Sequence, residues 1–195
     1  MANKDAAFGF RPIGKVGQNR DSQGLSEYNI AANSSAIYQN DTVQFLATGY
    51  VGVADTTTAV LLGSLNGVFY TDTADQKPRW ANHLAASNTA TDIVGFVSDD
   101  PYERFEVQSS TTLAIADIGL NADIVYAAGA SPNFVSKVEI DSNTANVTTA
   151  SKQFRILGVA KDIENSELAN VTTYAANVNV VGIINEHFLK STTGI

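Results

Sequence analysis

Val178-Asn179-Val180-Val181-Gly182-Ile183-Ile184 is a largely apolar run one strand long, and it reads as a central strand covered on both faces. Outward from it, short apolar or alternating runs recur between turn residues along the whole chain, at 26–31, 41–47, 59–65, 67–71, 92–98, 104–108, 124–127, 134–140, 152–159 and 177–188. Thr, Val, Ile, Tyr and Phe fill the runs, and Asn, Asp and Gly fill the gaps, as strands and their connections require. In the run 134–140, strand spacing puts Phe134, Ser136, Val138 and Ile140 on one face and Val135, Lys137 and Glu139 on the other. Only the stretch from Leu113 to Leu120 supports a helical turn, which Gly119 ends. Parallel α/β folds need crossover helices that are missing here. The expected class is therefore all-β, a jelly-roll or Greek-key β-sandwich or barrel.

At 195 residues the chain is long enough to bury a core without staples. Hydrophobic residues make up 44% and charged residues 16% of the chain, a balance that argues against disorder, and no apolar run approaches a membrane span. There is no cysteine, so disulfides, thiolate zinc sites and cysteine nucleophiles are excluded together. The net charge of −8, with 12 scattered basic residues, opposes binding to a phosphate backbone, so neither nucleic acid nor membrane is an expected partner. No basic segment followed by an apolar one marks the start as a secretory leader, and synthesis in a cytoplasm is expected.

The first residues carry a second signal. Asn3-Lys4-Asp5-Ala6-Ala7-Phe8-Gly9-Phe10-Arg11-Pro12-Ile13-Gly14 is too punctuated by Gly and Pro for a helix, yet Phe8, Phe10 and Ile13 give it apolar anchors. Two readings stand side by side: a docking arm with Phe8, Phe10, Arg11, Pro12 and Ile13 as its contacts, or a first edge strand tucked onto the protein's own core. On the arm reading, residues 1–24 form an extended arm, Arg20-Asp21-Ser22-Gln23-Gly24 is a polar turn, and residues 25–195 form a single domain with a candidate projecting loop at 71–91.

No constellation in the chain points clearly to chemistry. Gly9-Phe10-Arg11-Pro12-Ile13-Gly14-Lys15 matches the first seven positions of a phosphate-cradling loop, but Val16 stands where the magnesium-holding hydroxyl belongs and neither strand nor helix flanks it as required. Asp99, Asp100 and Glu103 gather three carboxylates after a strand, a set that could hold calcium but reads better as a turn, with Asp100-Pro101 directing the chain. The segment 141–146 reads as a hairpin connection rather than a calcium loop. His83 and His187 have no His or Cys neighbour at metal spacing and read as hydrogen-bonding structural residues. With one Trp for a sugar platform and no recognisable acid pair, an enzyme is not the expected class, and no cofactor or metal is expected.

Phe8-Gly9-Phe10-Arg11-Pro12, Ser98-Asp99-Asp100-Pro101-Tyr102 with Phe105-Glu106-Val107-Gln108, Gly119-Leu120-Asn121-Ala122-Asp123 and Arg155-Ile156-Leu157-Gly158 together resemble a group of small tailed-bacteriophage structural proteins, the capsid decoration or cement proteins. The resemblance spans roughly residues 7–189 and is weakest over 71–91. It implies a β-body on the outer surface of an icosahedral shell, a terminal arm reaching across neighbouring subunits, the major capsid protein as partner, and self-association into a trimer or dimer. The competing reading is a receptor- or carbohydrate-binding module of a phage fibre or other virion appendage.

Overall fold

The structure, a computed structural model, describes residues 3–17, 24–143, 145–161 and 168–192. The strands run in chain order as β1 (Arg11–Lys15), β2 (Ser26–Asn29), β3 (Thr42–Phe45), β4 (Val51–Val53), β5 (Gly63–Thr71), β6 (Pro78–Ala81), β7 (Val94–Ser98) and β8 (Glu103–Gln108). β9 (Leu113–Ala114) leads into a single 3-10 turn at Ile115–Asp117. Then come β10 (Asn121–Ala122), β11 (Ile124–Val125), β12 (Glu139–Ile140), β13 (Phe154–Val159), β14 (Leu168–Asn170), β15 (Thr173–Tyr174) and β16 (Asn179–Ile184), and a second 3-10 turn at Phe188–Lys190.

The protein is all-β and sandwich-like, built on antiparallel sheets. A five-stranded sheet has the order β1-β8-β16-β13-β10, and a six-stranded sheet the order β2-β7-β5-β3-β4 with β6 paired to β5. Two smaller sheets, β11-β12 and β14-β15-β9, complete the set. The apolar run at 178–184 supplies β16, which lies in the middle of its sheet with Val180, Gly182 and Ile184 buried and the alternate residues half-buried. Gly182 is needed there because a Cβ would come within 2.1 Å of the Arg155 carbonyl oxygen on β13.

Buried side chains gather into two clusters. The first packs Phe10, Phe105 and Phe154 with Val107, Ile156 and Val180 against the five-stranded sheet. The second packs Ile30, Val43, Leu62, Leu65, Val68 and Val97 against the six-stranded one. Backbone bridges tie the sheets together: the Leu61 amide donates to the Glu186 carbonyl at 3.1 Å and the Phe188 amide to the Leu61 carbonyl at 2.8 Å. Gln153 adds a side-chain strut, its amide donating to the Thr56 and Ala59 carbonyls at 2.9 and 2.8 Å.

The runs at 59–65 and 67–71 meet in one strand, β5, whose register slips against β7 between Leu65 and Gly67, a bulge that accommodates the exposed Asn66. In the run 134–140 the alternation of burial is as expected, with Ser136, Val138 and Ile140 fully buried. Only β12 at its end is ladder-paired, because the preceding amides go to separate partners: Ser136 to the Gln39 carbonyl and Lys137 to the Ala127 carbonyl. Phe134 itself has φ +53 and belongs to a turn. The segment 71–91 is no projecting loop. Its middle forms β6 on the sheet edge, and Leu84 and Ala90 enter the second core at 0% and 1% exposure. The segment 141–146 connects β12 to β13 in different sheets rather than closing a hairpin; Thr144 within it lies outside the described residues.

Candidate functional site

The amino-terminal segment is held to the body residue by residue. The Asn3 side-chain amide donates to the Ala176 carbonyl, the Ala6 amide to Gln108 Oε1, and Gln108 Nε2 to the Lys4 carbonyl, all within 2.9–3.1 Å. The Phe10 amide donates to the Asn40 carbonyl at 2.9 Å, and Asn40 Nδ2 reaches back to the Phe8 carbonyl at 3.1 Å. Phe10 is fully buried, its ring 5.7 Å from that of Phe105 and 5.1 Å, edge-on, from that of Phe154. From Arg11 onward the chain is β1, an edge strand on β8. The free-arm reading of 1–24 is therefore corrected over residues 3–17. Burying the Phe10 ring is worth about 1.5–3 kcal/mol, and the strand adds its ladder, so the segment stays on the body. The proposed turn at 20–24 lies outside the described residues except for Gly24.

The other four candidate contacts face outward to differing degrees. Phe8 and Pro12 are half-buried and Arg11 and Ile13 are exposed. The Arg11 guanidinium sits 4.8 Å above the Phe8 ring and is paired with Glu106 at 2.6 Å. The Val16 amide donates to the Tyr102 carbonyl at 3.0 Å, which ties the end of β1 to the β7–β8 turn, where Lys190 lies 5.0 Å over the Tyr102 ring. Ile13, Val16 and Tyr102 are exposed by 40%, 44% and 61%. Pro12 and the register slip between Pro12 and Gly14 blunt this edge against pairing with another strand, so the rim offers side chains rather than a ladder.

The three carboxylates after β7 diverge. Asp99 accepts the Tyr28 hydroxyl at 2.6 Å, Asp100 pairs with Lys15 at 2.6 Å, and buried Glu103 accepts the Gly14 amide at 3.0 Å. Burial and the neighbouring Asp99 push the Tyr28 hydroxyl up to about 12, and the hydrogen bond to Asp100 raises the Lys15 ammonium. This is a turn that clamps β1 in place, and the Gly9–Lys15 loop match dissolves into the same clamp. Among the described residues no three acidic or imidazole side chains converge on a metal site.

Both histidines are packed into the body. His83 is stacked on Phe134 with ring centroids 3.9 Å apart. His187 is 2% exposed, and its Nδ1 accepts the Leu189 amide at 3.1 Å as the cap of the last 3-10 turn. Burial and the nearby Lys190 push it down to about 4. Asp41, also buried, accepts the Tyr38 amide on one oxygen at 2.8 Å, and the Ser136 hydroxyl lies beside the carboxyl. Burial pushes its carboxyl up to about 6 from 3.8.

These two groups make opposed contributions to stability. An Asp with a raised folded pKa costs nothing below 3.8, and its penalty grows until the pH passes about 6. A His with a depressed pKa costs nothing above 6.5, and its penalty grows as the pH falls toward about 4. Between these limits the slopes offset each other. Asp41→Asn is therefore expected to stabilise the protein at pH 7 by on the order of 2 kcal/mol. It should also uncover a loss of stability on acidification through that window, read by urea unfolding at several pH values. An unchanged neutral stability would refute the burial cost assigned to Asp41.

One further surface escaped the sequence reading. On the outer face of the six-stranded sheet, Trp80 of β6 stands opposite Phe69 of β5, and Phe96 of β7 lies opposite Gly67. Pro78 and the charged residues around it obscured the strand that carries Trp80; the signal that could have found it was a strand-favouring Trp directly after a turn-forming stretch. No protein-family model, curated protein or solved structure matches this chain.

Proposed function

We propose that the protein is a non-enzymatic shell component of a tailed bacteriophage, attached to the outer surface of the capsid and bridging major capsid protein subunits. The observation that carries this reading is the exposed apolar residues of β1 and of the turn bonded to its end, Ile13 at 40%, Val16 at 44% and Tyr102 at 61%, with Arg11 over Phe8 on the same strand segment. A small contact of this kind holds weakly alone, and repetition over symmetry-related sites multiplies its effect. Self-association into a closed trimer or dimer would multiply it again. The resemblance of the same segments to capsid decoration proteins supports the reading, and Phe10 is removed from the docking set because its ring belongs to the core.

Ile13→Asp and Tyr102→Ala are expected to weaken attachment to expanded shells lacking the protein by about tenfold or more each, the value of one lost apolar contact. The unfolding free energy of the free protein should stay within about 0.5 kcal/mol of the parent, as for other surface substitutions. Cosedimentation with purified shells reads the first effect and thermal unfolding the second. Variants that decorate as well as the parent would remove the rim as the anchor.

A further inference from the structure

We infer that the last turn, Phe188–Lys190, is a proton-operated latch between the two large sheets, held closed by the unprotonated Nδ1 of His187 and released when that nitrogen takes a proton. After β16 the chain leaves the five-stranded sheet and crosses to the edge of the other. There the Phe188 amide donates to the Leu61 carbonyl at 2.8 Å, just before β5 begins. The Phe188 ring packs on the second core, 4.7 Å from that of Phe45 on β3. His187 lies between these two attachments at 2% exposure, and its Nδ1 accepts the Leu189 amide at 3.1 Å. Lys190 closes the turn from the far side, its Nζ donating to the Ile184 carbonyl at 3.3 Å.

The geometry fixes which protonation state the closed turn tolerates. An imidazole nitrogen accepts a hydrogen bond only while it carries no proton, and both ring nitrogens of an imidazolium are donors. A proton on Nδ1 therefore sets one N–H against the Leu189 N–H and removes the cap. Three charged groups face the ring: Asp99 and Asp100 from the turn after β7, and Lys190 from the latch itself. Neither carboxylate is free to take up the new charge, because Asp99 already accepts the Tyr28 hydroxyl and Asp100 already pairs with Lys15, each at 2.6 Å. Lys190 opposes it with a like charge, and the buried ring is cut off from water. Once the turn swings out, the ring is hydrated and recovers its ordinary affinity for a proton. Opening is therefore suppressed above pH 6.5, where the ring is neutral in both states, and is progressively favoured as the pH falls toward about 4.

Amide hydrogen exchange of the full-length protein, followed residue by residue by NMR, reads the latch directly. Between about pH 7 and pH 5 the protection factors of the Phe188 and Leu189 amides should fall by roughly tenfold or more, while that of Val180 in the middle of β16 holds. His187→Asn keeps a side-chain acceptor at the cap and removes the titration. Its Phe188 and Leu189 amides should show the same protection at both pH values. If His187→Asn fails to fold, the imidazole titration of the parent decides, because protonation of His187 and loss of Leu189 protection must then share one midpoint. Protection at Leu189 that does not change with pH, a loss that Val180 shares equally, a loss that persists in His187→Asn, or midpoints that differ would each overturn the inference.

Discussion

Phe10→Ala is expected to destabilise the free protein by about 3–5 kcal/mol, the cost of removing a large aromatic from a packed core. The ring is 0% exposed and interlocks with Phe105 and Phe154, which stand on two different strands of the five-stranded sheet. Its loss therefore opens a cavity that no single strand can close. Phe8→Ala, at a half-buried ring stacked only by Arg11, should cost about 1 kcal/mol or less. Urea unfolding of both variants separates the two roles of these neighbouring residues. Equal and small effects would mean that Phe10 is not part of the core, and would restore the free arm.

Gly9→Ala should be comparably severe, for a different reason. Gly9 has φ +73, and a Cβ there would stand 2.4 Å from the Asn40 carbonyl oxygen and 2.5 Å from Ser136 Cβ. Left-handed backbone strain of roughly 1–2 kcal/mol and an overpacking cost of roughly 1–3 kcal/mol then add. Gly17 provides the control, with φ +62 and nothing within 4 Å of its Cβ position. Gly17→Ala should show the strain alone, roughly 1–2 kcal/mol. Thermal unfolding of the pair isolates the steric share. Equal losses in the two variants would show that the close approach of Gly9 to Asn40 does not exist in solution.

How much of this was legible in the sequence differs from element to element. The run at 178–184 announced β16 because an uninterrupted apolar stretch of that length has few other places to go, and its central position followed. The turn at Ile115–Asp117 was equally plain, a short stretch of helix-tolerant residues closed by a glycine. Phe10 was undecidable because composition at a chain end cannot say whether an apolar anchor is used by the molecule itself or by a partner; its socket is made by residues about a hundred positions away and more. Phe134 misled because alternation of burial survives in extended segments whose amides bond outside any ladder. The rim is legible only in part. Ile13 and Arg11 stood in the candidate set, whereas Tyr102 is tied to the end of β1 through the β7–β8 turn, a contact between segments distant in sequence. The aromatic face was hidden more deeply, since cross-strand neighbours such as Phe69, Trp80 and Phe96 have no common spacing along the chain.

Shell attachment is tested most directly by counting. Quantitative mass spectrometry of purified phage particles gives the number of copies of this protein relative to the major capsid protein. Decoration of the lattice predicts a fixed, simple ratio to the major capsid protein, reached again when recombinant protein saturates expanded shells that lack it. A handful of copies per particle, or none on the shell, would contradict the account and place the protein on an appendage or outside the virion.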